Sequence, residues 1–353
     1  MSIIISGIQQ VGIGIPDVYD AWTWYRKYFG MDIPMFDEAA EANLMLPYTG
    51  GQPQQRHAIL AYNIQGGGGM EIWQYKSRTP QAPGFNPLLG DLGIHITKIK
   101  AKDPEQVLSQ FQNQKLDLIH STIQTSPDQQ AHFMLRDPYG NIFQVIQWDD
   151  WFIQNNLPTG GPVGCLIGVS DIDKSLTLYR DILGYDKVIY DERGEFEDLK
   201  ALSGGENRFR RVLLTHLEPR KGPFSKFFGK STIELIQVLD RSPQKIFENR
   251  FWADLGFIHL CFDIQGMHEL KQHCETQGFP FTVDSSNSFD MGEAAGHFSY
   301  IEDPDGTLIE FVETHKIPII KKIGWFLDLR KRNPEKTLPN WMIQSLSFNR
   351  VKA

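Results

Sequence analysis

Glu302-Asp303-Pro304-Asp305-Gly306-Thr307, leading into Leu308-Ile309-Glu310, repeats a text that first occurs 166 residues earlier as Arg136-Asp137-Pro138-Tyr139-Gly140-Asn141. Each copy has turn chemistry: proline presets φ, aspartate caps its own turn and glycine supplies a positive φ, so each reads as the bend of a β-hairpin. Other stretches recur at nearly the same offset. Asp91-Leu92-Gly93 returns as Asp254-Leu255-Gly256 and Met70-Glu71-Ile72-Trp73-Gln74 as Ile233-Glu234-Leu235-Ile236-Gln237, both 163 residues later. Trp24-Tyr25-Arg26 answers Leu178-Tyr179-Arg180. Near-constant offsets over independent stretches point to a duplicated structural unit.

Each half divides again. In the first unit, 7–15 reads as a strand, and Pro16-Asp17 opens a helix with Val18, Trp22, Tyr25 and Phe29 on one face, stopped at Gly30. Strands follow near 57–63 and 69–75. The second unit has a strand at 92–99, a helix from about 104 to 113, and strands near 117–124, 131–136 and 141–147. In the third, a strand at 163–169 meets Ser170, the expected cap of a helix bearing Ile172, Leu176, Tyr179 and Leu183. Strands near 185–192, 208–215 and 231–238 complete it. The fourth has a strand at 257–264, a helix at 266–277 and strands near 281–284, 297–302 and 307–313. The expected fold class is α+β, four βαβββ modules paired into two half-closed barrels. Each barrel is a cup with lining residues at alternate strand positions. The expected domains are 1–150 and 163–315, two modules each, joined by a linker at 151–162 and followed by a basic tail at 316–353.

Composition narrows the function. At 353 residues, 41% hydrophobic and 22% charged, the chain has the make-up of a globular protein with room for two cores. No apolar run is long enough to span a bilayer, and MSIIISGIQQ lacks a basic n-region, so a cytoplasmic protein is expected. Cys165, Cys261 and Cys274 form no CxxC pair and read as buried hydrophobes. Net charge is −8, yet the tail from Lys316 holds nine Lys/Arg against two Asp/Glu, leaving about −15 on the rest. An acidic body argues against nucleic acid as a partner. Pro318, Pro334 and Pro339 break any long membrane-binding helix, so the tail should wrap the body with Trp325 and Trp341 as anchors. A small-molecule partner is expected, and a homodimer is compatible with the composition.

Polar residues recur where strands should bury apolar ones. Aligned first strands place Gln10, His95, Gly164 and His259 in one column; aligned last strands place Glu71, Gln144, Glu234 and Glu310 in another. The Glu-to-His spacing is 24 in the first half and 25 in the second, and the neighbours in the last strands are apolar. A buried carboxylate needs a partner, and carboxylates converging with an imidazole call for a cation. Imidazole plus carboxylate oxygen suits Zn, Fe, Mn, Ni or Co.

Gly164 through Ser175, followed by Tyr179-Arg180-Asp181-Ile182-Leu183-Gly184, resembles the opening strand and helix of the vicinal oxygen chelate superfamily. Asp303 through Glu310 resembles its closing hairpin and ligand. That superfamily includes glyoxalase I, extradiol dioxygenases and bleomycin-resistance proteins, and the resemblance covers about 6–315. It implies a divalent metal held by Glu234, His259 and Glu310, with Gly164 leaving room for substrate beside it. It also implies a weaker site of Gln10, Glu71, His95 and Gln144. On this reading the C-terminal half binds metal and substrate and the N-terminal half is mainly structural. Glu310 and Tyr300 are the expected catalytic pair. The expected activity is a metal-dependent lyase or isomerase acting on adjacent oxygens. The alternatives are an Fe(II) extradiol-type dioxygenase, against which Gly164 stands where a histidine is needed, and a non-catalytic ligand-binding or resistance protein.

Overall fold

The computed structural model describes residues 3–286, 289–291, 294–320 and 325–351. Four stretches each open with a long strand and a helix and close with strands that return beside the first. The first holds β1 (Ile4–Gly14), α1 (Val18–Phe29), β2 (Ile33–Glu41), β3 (Gln55–Tyr62) and β4 (Gly69–Tyr75). The second holds β5 (Gly93–Ala101), α2 (Pro104–Asn113), the two-residue β6 (Asp117–Leu118) and β7 (Gln124–Thr125), β8 (Ala131–Arg136) and β9 (Ile142–Gln147). The third runs β10 (Thr159–Gly168), α3 (Ile172–Tyr179), β11 (Lys187–Gly194), β12 (Phe209–Thr215), α4 (Ser225–Phe228) and β13 (Thr232–Val238). The fourth runs β14 (Gly256–Gln265), α5 (Met267–Thr276), β15 (Val283–Asp284), β16 (Phe289–Met291), β17 (Ala294–Glu302) and β18 (Leu308–Thr314). The tail adds β19 (Lys316–Ile320), β20 (Trp325–Asp328) and α6 (Asn340–Gln344).

Local chemistry sets these boundaries. Asp17 caps α1 by accepting from the amides of Tyr19 and Asp20, and Gly30 closes it at φ 61°. The cap of α3 is Asp171, which accepts from Lys174 N, rather than Ser170. The strand expected at 117–124 shrinks to two short pairings. β2 lies at the edge of its sheet and carries Pro34, Asp37, Glu38 and Glu41, so hydrophobic alternation does not reveal it.

The largest departure from expectation is the pairing. One sheet runs β15-β17-β18-β14-β1-β4-β3-β2, joining the first stretch to the fourth; the other runs β11-β12-β13-β10-β5-β9-β8-β6, joining the second to the third. In each, two long first strands lie antiparallel at the centre, β1 on β14 and β5 on β10. The cups therefore do not follow the sequence halves 1–150 and 163–315. The cause lies in the connectors. Residues 148–158 return the chain to the sheet it has just left, whereas 76–92 and 239–255 carry it across. The repeated Asp-Leu-Gly secures both crossings. Buried Asp254 accepts from Arg78 and from Gln81 N, and buried Asp91 accepts from Arg241 and from Gln244 N.

The helix-bearing faces of the two sheets share one core that includes Tyr25, Phe29, Phe111, Phe143, Tyr179, Phe262 and Phe311. Across it, Tyr25 of α1 donates to Asp137 at 2.6 Å and Tyr179 of α3 donates to Asp303 at 2.9 Å. The Asp-Pro-x-Gly hairpins thus also tie sheet to sheet. The cups open on the other faces. We call the one built from the two ends of the fold the outer cup, and the one built from β5–β13 the inner cup.

The tail packs on the outer cup. Leu329, Leu338 and Ile343 join Ile33, Leu60, Tyr62, Phe227 and Phe228, and Arg350 meets Asp32 at 3.0 Å. These aliphatic residues are the anchors; Trp341 is 61% exposed, and the side chain of Trp325 lies outside the described residues. All three cysteines are free and buried. Among the described residues, no helix is long and apolar enough to cross a membrane.

Candidate metal centre

Strand alternation builds the centre. β4 sends Met70 and Ile72 into the shared core and turns Glu71 and Trp73 to the cup. β18 buries Ile309 and Phe311 and turns Glu310 inward, and β14 does the same with Leu260 and Phe262 against His259. Gly12 of β1 lies opposite both Glu71 and His259. A Cβ on Gly12 would stand 2.3 Å from His259 Cε1, so the strand needs glycine there to admit the imidazole.

His259 Nε2 is 3.1 Å from Glu71 Oε2 and 3.1 Å from Glu310 Oε2. The ligand atoms of these three buried residues lie within 4.8 Å of one another. Gln10 Nε2 donates to Glu310 Oε2 at 3.4 Å. Four buried atoms make no hydrogen bond: Glu71 Oε2, Gln10 Oε1 and both ring nitrogens of His259. Burial and then the nearby Glu310 raise the Glu71 pKa. Burial lowers that of His259, but the Glu310 and Glu71 carboxylates outweigh it and hold it up at about 9. Two carboxylates converging on one buried imidazole, with an amide oxygen left unpaired beside them, are what a divalent ion satisfies, and together they make a suitable donor set. The residues fit a metal.

Tyr300 lies opposite Glu310 on β17, edge-on to the His259 ring at 5.5 Å. Burial, then the Glu310 charge, pushes its hydroxyl well above the usual range, so it stays protonated. Gln10, Glu71, Glu310 and Tyr300 line a cavity of about 1430 Å³.

The expected ligand sets were mixed. His259 and Glu310 do converge, but with Gln10 and Glu71 of the other half, so both halves contribute. Glu234 lies in the inner cup, held by Lys98 and Arg211 and accepting from Tyr190 at 2.6 Å. Arg211 Nη1 in turn grips Asp198 at 2.9 Å. Matching the two registers puts Leu166 where the outer cup has Gly12, Ile96 where it has His259, and Gln144 where it has Glu310. His95 is one residue out of step, and its Nε2 meets the Asp91 carbonyl at 2.6 Å. Counted from the repeated glycine, His259 is third after Gly256 and His95 second after Gly93, a signal the sequence did hold. Gly164 opens no substrate space: its Cβ would meet the Thr232 carbonyl oxygen at 2.0 Å. Lys98, Arg211 and Asp198 went unread as a cluster, though a lysine between Ile96 and Lys100 on a buried strand was the available hint.

Residues 162–311 match the model of the Glyoxalase/Bleomycin resistance protein/Dioxygenase superfamily. This region belongs to that superfamily. The match takes in His259 and Glu310 but stops short of Gln10 and Glu71. Likeness of fold to solved structures reaches beyond this region, over 88% of the chain. A presumed dioxygenase from Bacillus subtilis is similar at a TM-score of 0.56 and 12% identity, covering 88% of this chain and 86% of its own. Glyoxalase I from Zea mays is similar at 0.52 and 11%, covering 88% of this chain and 92% of its own. At such identities the likeness is one of fold. No curated protein sequence matches significantly.

Proposed function

We propose that the outer cup is the active site of a metal-dependent enzyme that acts on a small molecule through two adjacent oxygens, moving a proton rather than opening a ring. The convergence of Gln10, Glu71, His259 and Glu310 carries this reading. A divalent ion held there would polarise the substrate oxygens and make the adjacent carbon acidic. The chain's own groups supply the rest. Glu310 stands between a Gln10 donor and the Tyr300 hydroxyl, placed to take a proton from the substrate and return it one atom along. Tyr300, kept protonated by its surroundings, is placed to donate to a developing oxyanion. Burial keeps bulk water from the transferred proton.

Metal content tests the reading. The purified protein should hold about one divalent ion per chain, and His259→Ala and Glu310→Ala should each lose it while the circular-dichroism spectrum is unchanged. Unchanged occupancy in both variants would overturn the proposal. Tyr300 next to a carboxylate also favours a second reading, ring cleavage on ferrous iron, for which a single imidazole is a poor match. Oxygen uptake with a catechol by the iron-loaded protein separates the two readings. Full metal occupancy with no turnover of any chelating substrate would leave a binding protein.

A further inference from the structure

The outer cup is larger than a chelating head group requires. Its volume of about 1430 Å³ exceeds the roughly 300–1,000 Å³ typical of ligand pockets. Phe36, Trp73, Phe227, Phe228, Trp252 and Phe298 form much of its wall. The charges on the lining point the same way. Arg56 and Lys316 are the cations among the described lining residues, and Arg56 is engaged by Glu38 at 3.0 Å and stacked over Trp73 at 5.1 Å. Asp37, Glu38 and Glu41 add negative charge beyond Glu71 and Glu310. A ligand with several carboxylates or phosphates would meet repulsion there with little to offset it.

The mouth is apolar as well. The tail contributes Trp341 and Phe348, 61% and 90% exposed, beside Met35 and Leu44 at 39% and 42%. Aromatic side chains left in water at the rim of an aromatic cavity extend its surface outward. These tail residues lie beyond the superfamily match at 162–311.

We propose that the substrate is a bulky, largely apolar molecule without multiple negative charges, and that Trp341 and Phe348 of the C-terminal tail select it. Its adjacent oxygens lie at Glu71 and Glu310, and its apolar body runs along the aromatic wall to the mouth. This rests on the outer cup being the substrate site.

The test uses the full chain stripped of metal by a chelator, with calorimetry of three probes: octyl gallate, methyl gallate and S-hexylglutathione. The two gallates share one uncharged head of adjacent oxygens and differ only in tail length. Octyl gallate should bind at least about tenfold tighter than methyl gallate, through burial of the added methylenes, and at least about tenfold tighter than S-hexylglutathione with its two carboxylates. Trp341→Ala combined with Phe348→Ala should weaken octyl gallate about five- to tenfold while methyl gallate affinity and the melting temperature stay put. Equal affinity of the two gallates overturns the proposal. So does tighter binding of S-hexylglutathione, indifference of octyl gallate to the tail variants, or no detectable octyl gallate binding. Metal content of the same preparations before stripping is scored separately, so an absent metal and an absent apolar preference are distinct failures.

Discussion

The two cups share one strand plan and one buried glutamate, Glu71 in the outer and Glu234 in the inner, yet they settle its charge in opposite ways. In the inner cup the chain supplies the cation itself, through Lys98 and Arg211, and fills the neighbouring positions with Leu166 and Ile96. In the outer cup the same positions hold Gly12 and His259, a second carboxylate enters at Glu310, and Glu71 Oε2 and Gln10 Oε1 are left without a hydrogen bond. A carboxylate already neutralised by cations of the chain has no need of a metal. A cluster of carboxylates around one imidazole has that need, and an ion held there would keep positions open for a substrate. Buried carboxylates in a duplicated fold therefore identify a chemical centre only together with what stands opposite them.

Neutralising the shared glutamate should break the symmetry most. Glu234→Gln strands the buried Lys98 ammonium and leaves the Arg211 guanidinium with Asp198 alone, and should cost about 3–5 kcal/mol of folding stability in chemical denaturation. Glu71→Gln in metal-free protein should cost little or stabilise, because it relieves the repulsion from Glu310, while abolishing metal uptake. Equal losses in the two variants would show that the cups are electrostatically alike. Gly12→Ala comes next. It should displace the imidazole, lose about 1–3 kcal/mol by overpacking, and weaken metal binding by at least about tenfold. Retained occupancy by elemental analysis would contradict the close approach at 2.3 Å. The ties across the shared core should matter somewhat less: Tyr25→Phe and Tyr179→Phe should each cost about 1.5 kcal/mol, and near-identical melting shifts would mark them as equivalent.

The smallest effect is a pair of opposite pH slopes, also at matched positions. Asp263 lies in the outer cup with both carboxyl oxygens unpartnered, and burial pushes its pKa up to about 8. The inner cup has Lys100 at that position, lowered by burial to about 8 while its ammonium donates to the Gly66 and Phe228 carbonyls. For Asp263 the folded state binds the extra proton between the unfolded value near 4 and about 8, so its contribution falls as pH rises through that window. For Lys100 the unfolded state binds the extra proton between about 8 and 10.5, so its contribution rises with pH there. Asp263→Asn should flatten the first slope and Lys100→Met the second, each by up to about 1.4 kcal/mol per pH unit within its window. Melting temperatures from pH 5 to 10.5 check both, and an unchanged slope in either variant would remove that residue from the account.

Much of this was legible in the residues. Repeats, turn chemistry and caps located α1, α2, α3 and α5 and most strands, because each is a local signal, while the short α4 and α6 went unread. His259, Glu310, Glu71 and Gln10 were singled out too, since polar residues among Ile72, Ile309 and Phe311 need a reason to be buried. Their grouping was not. Partnering of long strands depends on where the 76–92 and 239–255 connectors lead, and the aspartates that hold those connectors read only as a repeated tripeptide. The edge strand β2 and the Arg211 cluster escaped for a related reason. Their side chains look like surface until the sheet beside them is known.

The pairing of first strands with last also imposes an order on the protein's birth. The inner sheet is drawn from one unbroken run, β5 to β13, and is complete as soon as Val238 has left the ribosome. Gln10 and Glu71, made first, must wait for His259 and Glu310, made nearly last, and β1 waits with an open edge until β14 arrives. A chain broken anywhere in 151–158 yields two fragments that each carry half of the centre, so any recovered metal uptake would report that the two pieces had found each other.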